Sequence, residues 1–175
     1  MKAIDRLASV DRSTPAMRSA LPDLPMEPTV MIRLMRISVV SLGQFFNPVF
    51  LRLGIAENAF HVLCLLMADQ GGSASPSDLS ELVGTSRANM TRILDNLGRD
   101  GLVSRSTLEM DGRRAIITIT PKGREIATAT ASSLREPLNE AFSGLSDEEF
   151  TQLALLLRKA TKSFDRAPIE FGAAA

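Results

Sequence analysis

Two short runs carry side chains suited to a polyanion: Ser86, Arg87, Asn89, Thr91 and Arg92 in the first, Arg113 and Arg114 in the second. A guanidinium matches the O6/N7 edge of guanine and an amide the N6/N7 edge of adenine, so Arg87 and Asn89 are candidates for base contact in a major groove. Ser86, Thr91 and Arg92 suit phosphates, assisted by the N–H groups of a helix start. Arg113 and Arg114 suit a narrowed minor groove, which concentrates negative potential. Asp111 beside them is a poor phosphate neighbour, and its expected task is structural: to pair with an arginine and orient the segment. The bland alternative for each run is a solvated helix start or turn.

The charge balance agrees only once it is resolved along the chain. Twenty basic residues face twenty acidic ones, for no net charge. Between Thr85 and Arg124, however, eight basic residues face four acidic ones, so a block of net +4 is offset by −4 elsewhere. What a polyanion meets is the face presented, not the sum. The same sequence supplies little for catalysis. One histidine, one cysteine, no metal-ligand cluster and no phosphate-cradling glycine loop leave neither an enzyme constellation nor a cofactor site, so no cofactor is expected. At 175 residues and 45% apolar composition the chain is long enough for one ordinary globular domain or two very small ones. No run of about 18 uninterrupted apolar residues is present, and Lys2, Asp5 and Arg6 stand where a secretion signal needs its apolar stretch. A cytoplasmic protein without a membrane partner is expected, and a lone cysteine fits a reducing compartment.

The elements that must hold these residues follow from periodicity and punctuation. Ser75-Pro76-Ser77-Asp78 is a strong helix start, and Gly84 stops that helix after Leu79, Leu82 and Val83, all expected to be buried. Ser86 caps the next helix, which runs to about Arg99. Its Met90, Ile93, Leu94 and Leu97 fall at i, i+3, i+4 and i+7 and define a buried face. Two short helices around a tight turn make a helix-turn-helix. Two β-rich runs follow, 102–107 and 114–120, separated by Asp111-Gly112: a hairpin, here a wing.

Upstream, 57–69 reads as a helix with Phe60, Leu63, Cys64 and Met67 buried, lacking a good cap at Ala56. Residues 30–53 are apolar on nearly every helical face, with Pro48 expected to kink or divide them. Four prolines in 1–29 suggest an arm with at most one short helical stretch, near Ile4 to Val10. Downstream, Thr120 and Pro121 open a long helix that Pro137 should bend or break. Ser146 and Glu149 form a capping box with Leu145 and Phe150 as a staple, and Phe150, Leu153, Leu157, Ala160 and Phe164 trace a narrow apolar seam. The fold class is mainly α with a small β-wing. The expected organisation is an extension (1–29), a helical dimerisation region (30–56 and 121–168), a winged helix-turn-helix (57–120) and a flexible tail (169–175).

The strings SPSDLSELVGTSRANMTRILDNLGRDGLVSRS (75–106) and DGRRAIITIT (111–120) resemble the MarR family of winged-helix transcription regulators, with Ile119 in place of the leucine of the wing signature. The resemblance spans roughly residues 30–166. The run at 86–93 is most similar to the branch that represses multidrug-efflux operons and is relieved by phenolic or lipophilic compounds. It implies a homodimer on a palindromic double-stranded operator, half-sites about 34 Å apart. Phe150, Leu153, Leu157 and Phe164 are the expected dimerisation residues. A small aromatic or phenolic effector is expected among Arg33, Arg36, Ser38, Gln44, Phe45, Phe46 and His61, against the simpler reading that these are core and scaffold. Cys64 offers a redox-sensing alternative, weakened by apolar neighbours that point to a buried, inert thiol. A winged-helix module that binds protein in place of DNA is the remaining alternative.

Overall fold

The computed structural model describes residues 2–107 and 115–165. They run α1 (Ala3–Ala20), α2 (Met26–Leu53), α3 (Glu57–Ala68), β1 (Ser73–Ala74), α4 (Pro76–Val83), α5 (Arg87–Arg99), β2 (Val103–Thr107), β3 (Ala115–Ile119), α6 (Pro121–Ala141) and α7 (Asp147–Phe164). Two compact units result, 1–137 and 138–175.

The helix-turn-helix forms as its caps dictate. Ser75 Oγ accepts the Asp78 N–H at 3.1 Å, Pro76 opens α4, and Gly84 closes it at φ 71°, a left-handed conformation that a Cβ resists. Leu79 is fully buried, but Leu82, expected inside, is 67% exposed: in so short a helix only one stripe faces the core. Met90, Ile93, Leu94 and Leu97 of α5 are all buried, and they meet Val62, Leu63 and Leu66 of α3, Ile117 and Ile119 of β3 and Ala127 of α6 in one apolar cluster. Removing the α4 cap in Ser75→Ala should cost about 1 kcal/mol, read as a lower urea midpoint at unchanged m-value.

Behind this core lies a three-stranded antiparallel sheet ordered β1-β3-β2. The hairpin register pairs Val103 with Ile119 and Arg105 with Ile117. The two-residue β1, too short to read from sequence, pairs Ser73 with Thr118, and their hydroxyls lie 2.8 Å apart. At the base of the wing α6 starts as expected, with Thr120 Oγ1 accepting the Gly123 N–H at 3.0 Å.

On α3 the inward residues are Ala59, Phe60, Val62, Leu63 and Leu66. The expected stripe is therefore corrected by rotation: Cys64 is exposed and Met67 is 40% exposed. Phe60 and Leu63 were common to both faces, and the position of α4 and β3 selects Leu66 over Met67.

The largest departure is at the N-terminus. The proline-rich arm is an 18-residue helix that contains Pro15. Its preceding turn is held by Ser13 Oγ donating to Ser9 O and Thr14 Oγ1 to Val10 O, each at 2.7 Å, and Val10 is 2% exposed. Antiparallel contacts bind α1 to α2: Arg6 donates to Gln44 Oε1 at 3.2 Å, Arg33 to Ser13 Oγ at 2.8 Å, and Arg18 pairs with Glu27 at 3.0 Å. The backbone N–H at the start of α2, and then Arg18, hold the Glu27 carboxyl below its usual range.

Helix α2 begins at Met26, with Pro25 as its N-cap residue and Pro28 in the first turn, where a missing N–H costs no helical bond. It continues through Pro48 as one element, and α6 likewise through Pro137. By length and composition α2 would also suit a membrane crossing. Here α1 lies along one flank, and Phe46, Phe50 and Phe60 form a chain of tilted rings, 6.3 and 6.0 Å between centroids, that joins α2 to α3.

Candidate nucleic-acid interface

Helix α5 carries the first candidate run on the side away from its buried stripe. Ser86, at φ −68° and ψ 151°, accepts the Asn89 N–H at 3.2 Å and so satisfies one of the N–H groups a helix start leaves without a partner. Arg87, Thr91 and Arg92 are exposed and Asn89 is half-buried. The Thr91 hydroxyl spends its proton on Arg87 O at 3.1 Å, so a phosphate contact from Thr91 requires that bond to be exchanged. Asn89 is engaged at both ends of its amide: Nδ2 donates to Thr85 Oγ1 and Oδ1 accepts from Arg92 Nη2, each at 2.8 Å. Sequence reasoning passed over Thr85, although the i, i+4 spacing to Asn89 and the i, i+3 spacing on to Arg92 are both signals of facing side chains.

Asp111, Arg113 and Arg114 lie outside the described residues. Of the other cations in the basic block, Arg99 bonds Asn96 Oδ1, and Lys122 Nζ donates to Asp100 O at 2.8 Å, which ties the first turn of α6 to the end of α5. Arg124 reaches Met67 Sδ at 3.7 Å. Arg105 is exposed on β2, at the edge of the sheet.

The residues expected around an effector are dispersed. Arg33 and Gln44 are taken by α1, Ser38 Oγ donates to Leu34 O at 3.0 Å, and Arg36 and His61 are exposed. Phe45 and Phe46 meet edge-on at 5.0 Å, the first 41% exposed and the second buried. None of the seven lines the cleft of about 590 Å³ formed where the end of α2, the start of α3, the C-terminal end of α5 and the start of α6 converge. Leu53, Ile55, Ile93 and Leu97 supply its apolar wall, and Arg99, Lys122 and Asp100 its charged rim.

Cys64 is exposed, not buried as expected, yet partial burial still pushes its thiol above the ordinary value. Less thiolate at neutral pH means a slower nucleophile, whichever face it occupies. On α7 the capping box forms as expected, Ser146 Oγ accepting from Glu149 N at 3.3 Å and Glu149 Oε2 from Ser146 N at 2.9 Å. Phe150, Leu153, Leu157 and Phe164 are all exposed, and α7 buries no residue.

A sequence profile of the MarR family matches residues 55–115, from just before α3 to the first residue of β3. The transcriptional repressor MprA of Escherichia coli (strain K12) is 31% identical over 144 residues, 82% of this chain and 82% of that protein. The chain belongs to the MarR family. Among solved structures, this MarR-family chain is similar to MepR of S. aureus in complex with DNA, at TM-score 0.66 and 26% identity over 74% of this chain and 95% of that one. It shares its fold with BpsR of Bordetella bronchiseptica, whose DNA binding is regulated by 6-hydroxynicotinic acid, at TM-score 0.68 and 24% identity over 75% and 98% of the two chains. It is accordingly a winged-helix, DNA-binding transcriptional regulator and not an enzyme.

Proposed function

We propose that this MarR-family regulator is a homodimeric repressor that binds a palindromic operator through α5 and the wing and is released by a small aromatic or phenolic acid. The observation that carries the reading is the division of α5: four buried apolar residues on one side, and Arg87 and Arg92 presented on the other from a Ser-capped start. A single unit offers a small contact, so affinity requires two copies, and the exposed seam of α7 supports their association. BpsR supports an aromatic acid as effector.

The cleft beside α5 suits such a ligand: an apolar wall takes the ring, and Arg99 and Lys122, which outnumber Asp100 on the same rim, take the carboxylate. A ligand there bears on the C-terminal end of α5, and it lowers DNA affinity only by its preference for one arrangement of α5 over another.

The test is binding to duplex DNA from upstream of the protein's own coding sequence. Phosphate contacts from two copies predict a loss of about 10³-fold in affinity between 50 and 200 mM salt. Aromatic carboxylates and phenols should then release the bound fragment. A salt-independent interaction, or none with any duplex, would favour the protein-binding alternative.

A further inference from the structure

We propose that Asn89 is a positioning residue: bonded to Thr85 and Arg92 at once, it holds the Arg92 guanidinium for a phosphate contact and does not itself read a base. This rests on the reading of α5 as the DNA-contacting helix and assigns work within it.

Three observations carry the assignment. Bidentate recognition of adenine takes both ends of an asparagine amide, one donating and one accepting. In Asn89 each end already carries one bond at 2.8 Å, to Thr85 Oγ1 and from Arg92 Nη2, so contact with adenine would have to use the second hydrogen and second lone pair of an amide whose plane those bonds already hold. The polarity of the chain of bonds is also fixed. A guanidinium only donates, so the amide oxygen must face Arg92 and the NH₂ group must face the Thr85 hydroxyl; turning the amide over would set donor against donor. Exposure completes the pattern: Asn89 is half-buried between the capping turn and the exposed Arg92.

Arginine is among the residues that surrender most rotamer freedom when they bind. Held by one Nη2 bond on its own helix, Arg92 has surrendered part of that freedom beforehand, and its remaining N–H groups stay available to a phosphate. Thr85 contributes from outside the helix, one residue before the cap.

The experiment measures affinity over a salt series for the duplex from upstream of the protein's own coding sequence and for a mixed-sequence duplex of equal length. The variants are Asn89→Ala, Thr85→Val, Thr85→Ser, Arg92→Ala and the Asn89→Ala/Arg92→Ala pair, with circular dichroism confirming the helix content of each. Asn89→Ala should weaken both duplexes by about 10-fold and reduce the salt slope by about 1, as Arg92→Ala does. Thr85→Val should weaken binding in the same uniform way, Thr85→Ser should restore it, and the pair should bind no worse than Arg92→Ala alone.

A purely structural Asn89 would instead give losses that add to those of Arg92→Ala, with the wild-type salt slope, and that result overturns the proposal. So does a loss confined to the upstream duplex at unchanged slope, which marks a base reader. If Arg87→Ala and Arg92→Ala both leave affinity intact, the DNA-contacting role of α5 falls, and the assignment of Asn89 with it.

Discussion

Leu157→Glu is expected to yield a monomer whose affinity for the full operator is lower by about two orders of magnitude or more, because two tethered half-site contacts become one. Leu157 lies at the middle of the seam that Phe150, Leu153 and Phe164 continue in both directions along α7, and it is 45% exposed. Among the described residues α7 buries none of its own, and Leu157 is no part of the winged-helix core, so the substitution leaves that core intact. Its cost falls on association. A carboxylate placed in a desolvated helix seam without a partner costs several kcal/mol, more than the roughly 1.5–3 kcal/mol that a fully buried leucine contributes. Sedimentation velocity distinguishes the outcomes, and a dimer that survives the change would shift the interface to other surfaces, foremost the exposed apolar face of α2.

The second large effect is intramolecular. Gly123→Ala should destabilise the protein by about 2 kcal/mol although alanine is the better helix former. A Cβ built at Gly123 collides with the carbonyl oxygen of Leu102 and comes within 2.9 Å of Ile119 Cγ1. Neither obstacle is the loose end of a long side chain. The Leu102 carbonyl is itself fixed, accepting the Thr120 N–H at 3.0 Å, so the whole first turn of α6 has to withdraw from the base of the wing. Overpacking of this kind costs about 1–3 kcal/mol, at the upper end where backbone must yield, and the gain in helix propensity of roughly 1 kcal/mol only partly offsets it. A urea midpoint equal to that of the native protein would show that α6 has room to move.

Where local chemistry decides the structure, the sequence is readable. Ser75, Ser86, Thr120 and Ser146 each cap the helix their spacing announces, and the four buried residues of α5 follow from period alone. Where tertiary partners decide, the reading goes astray. The four prolines of 1–29 read as an arm until α2 is present to cover Val10 and the Ser13 and Thr14 hydroxyls engage the turn before Pro15. The rotation of α3 that exposes Cys64 depends on where α4 and β3 lie, which no window of twelve residues contains. The seven expected effector residues share a chemical type and not a location, and two of them, Arg33 and Gln44, are held by a helix that the prolines conceal. The candidate run at 86–92 was legible in residue type, but the bonding that links Thr85, Asn89 and Arg92, on which the proposed bracing role rests, is geometric.

An end helix with no buried residue would, if two copies pair through it as proposed, make the regulator a gauge of its own abundance. On that proposal, promoter occupancy below the concentration at which copies pair would scale with the square of the protein concentration, so a twofold dilution would cut occupancy about fourfold. A control circuit built on such pairing would respond steeply to synthesis and dilution before any small molecule intervenes.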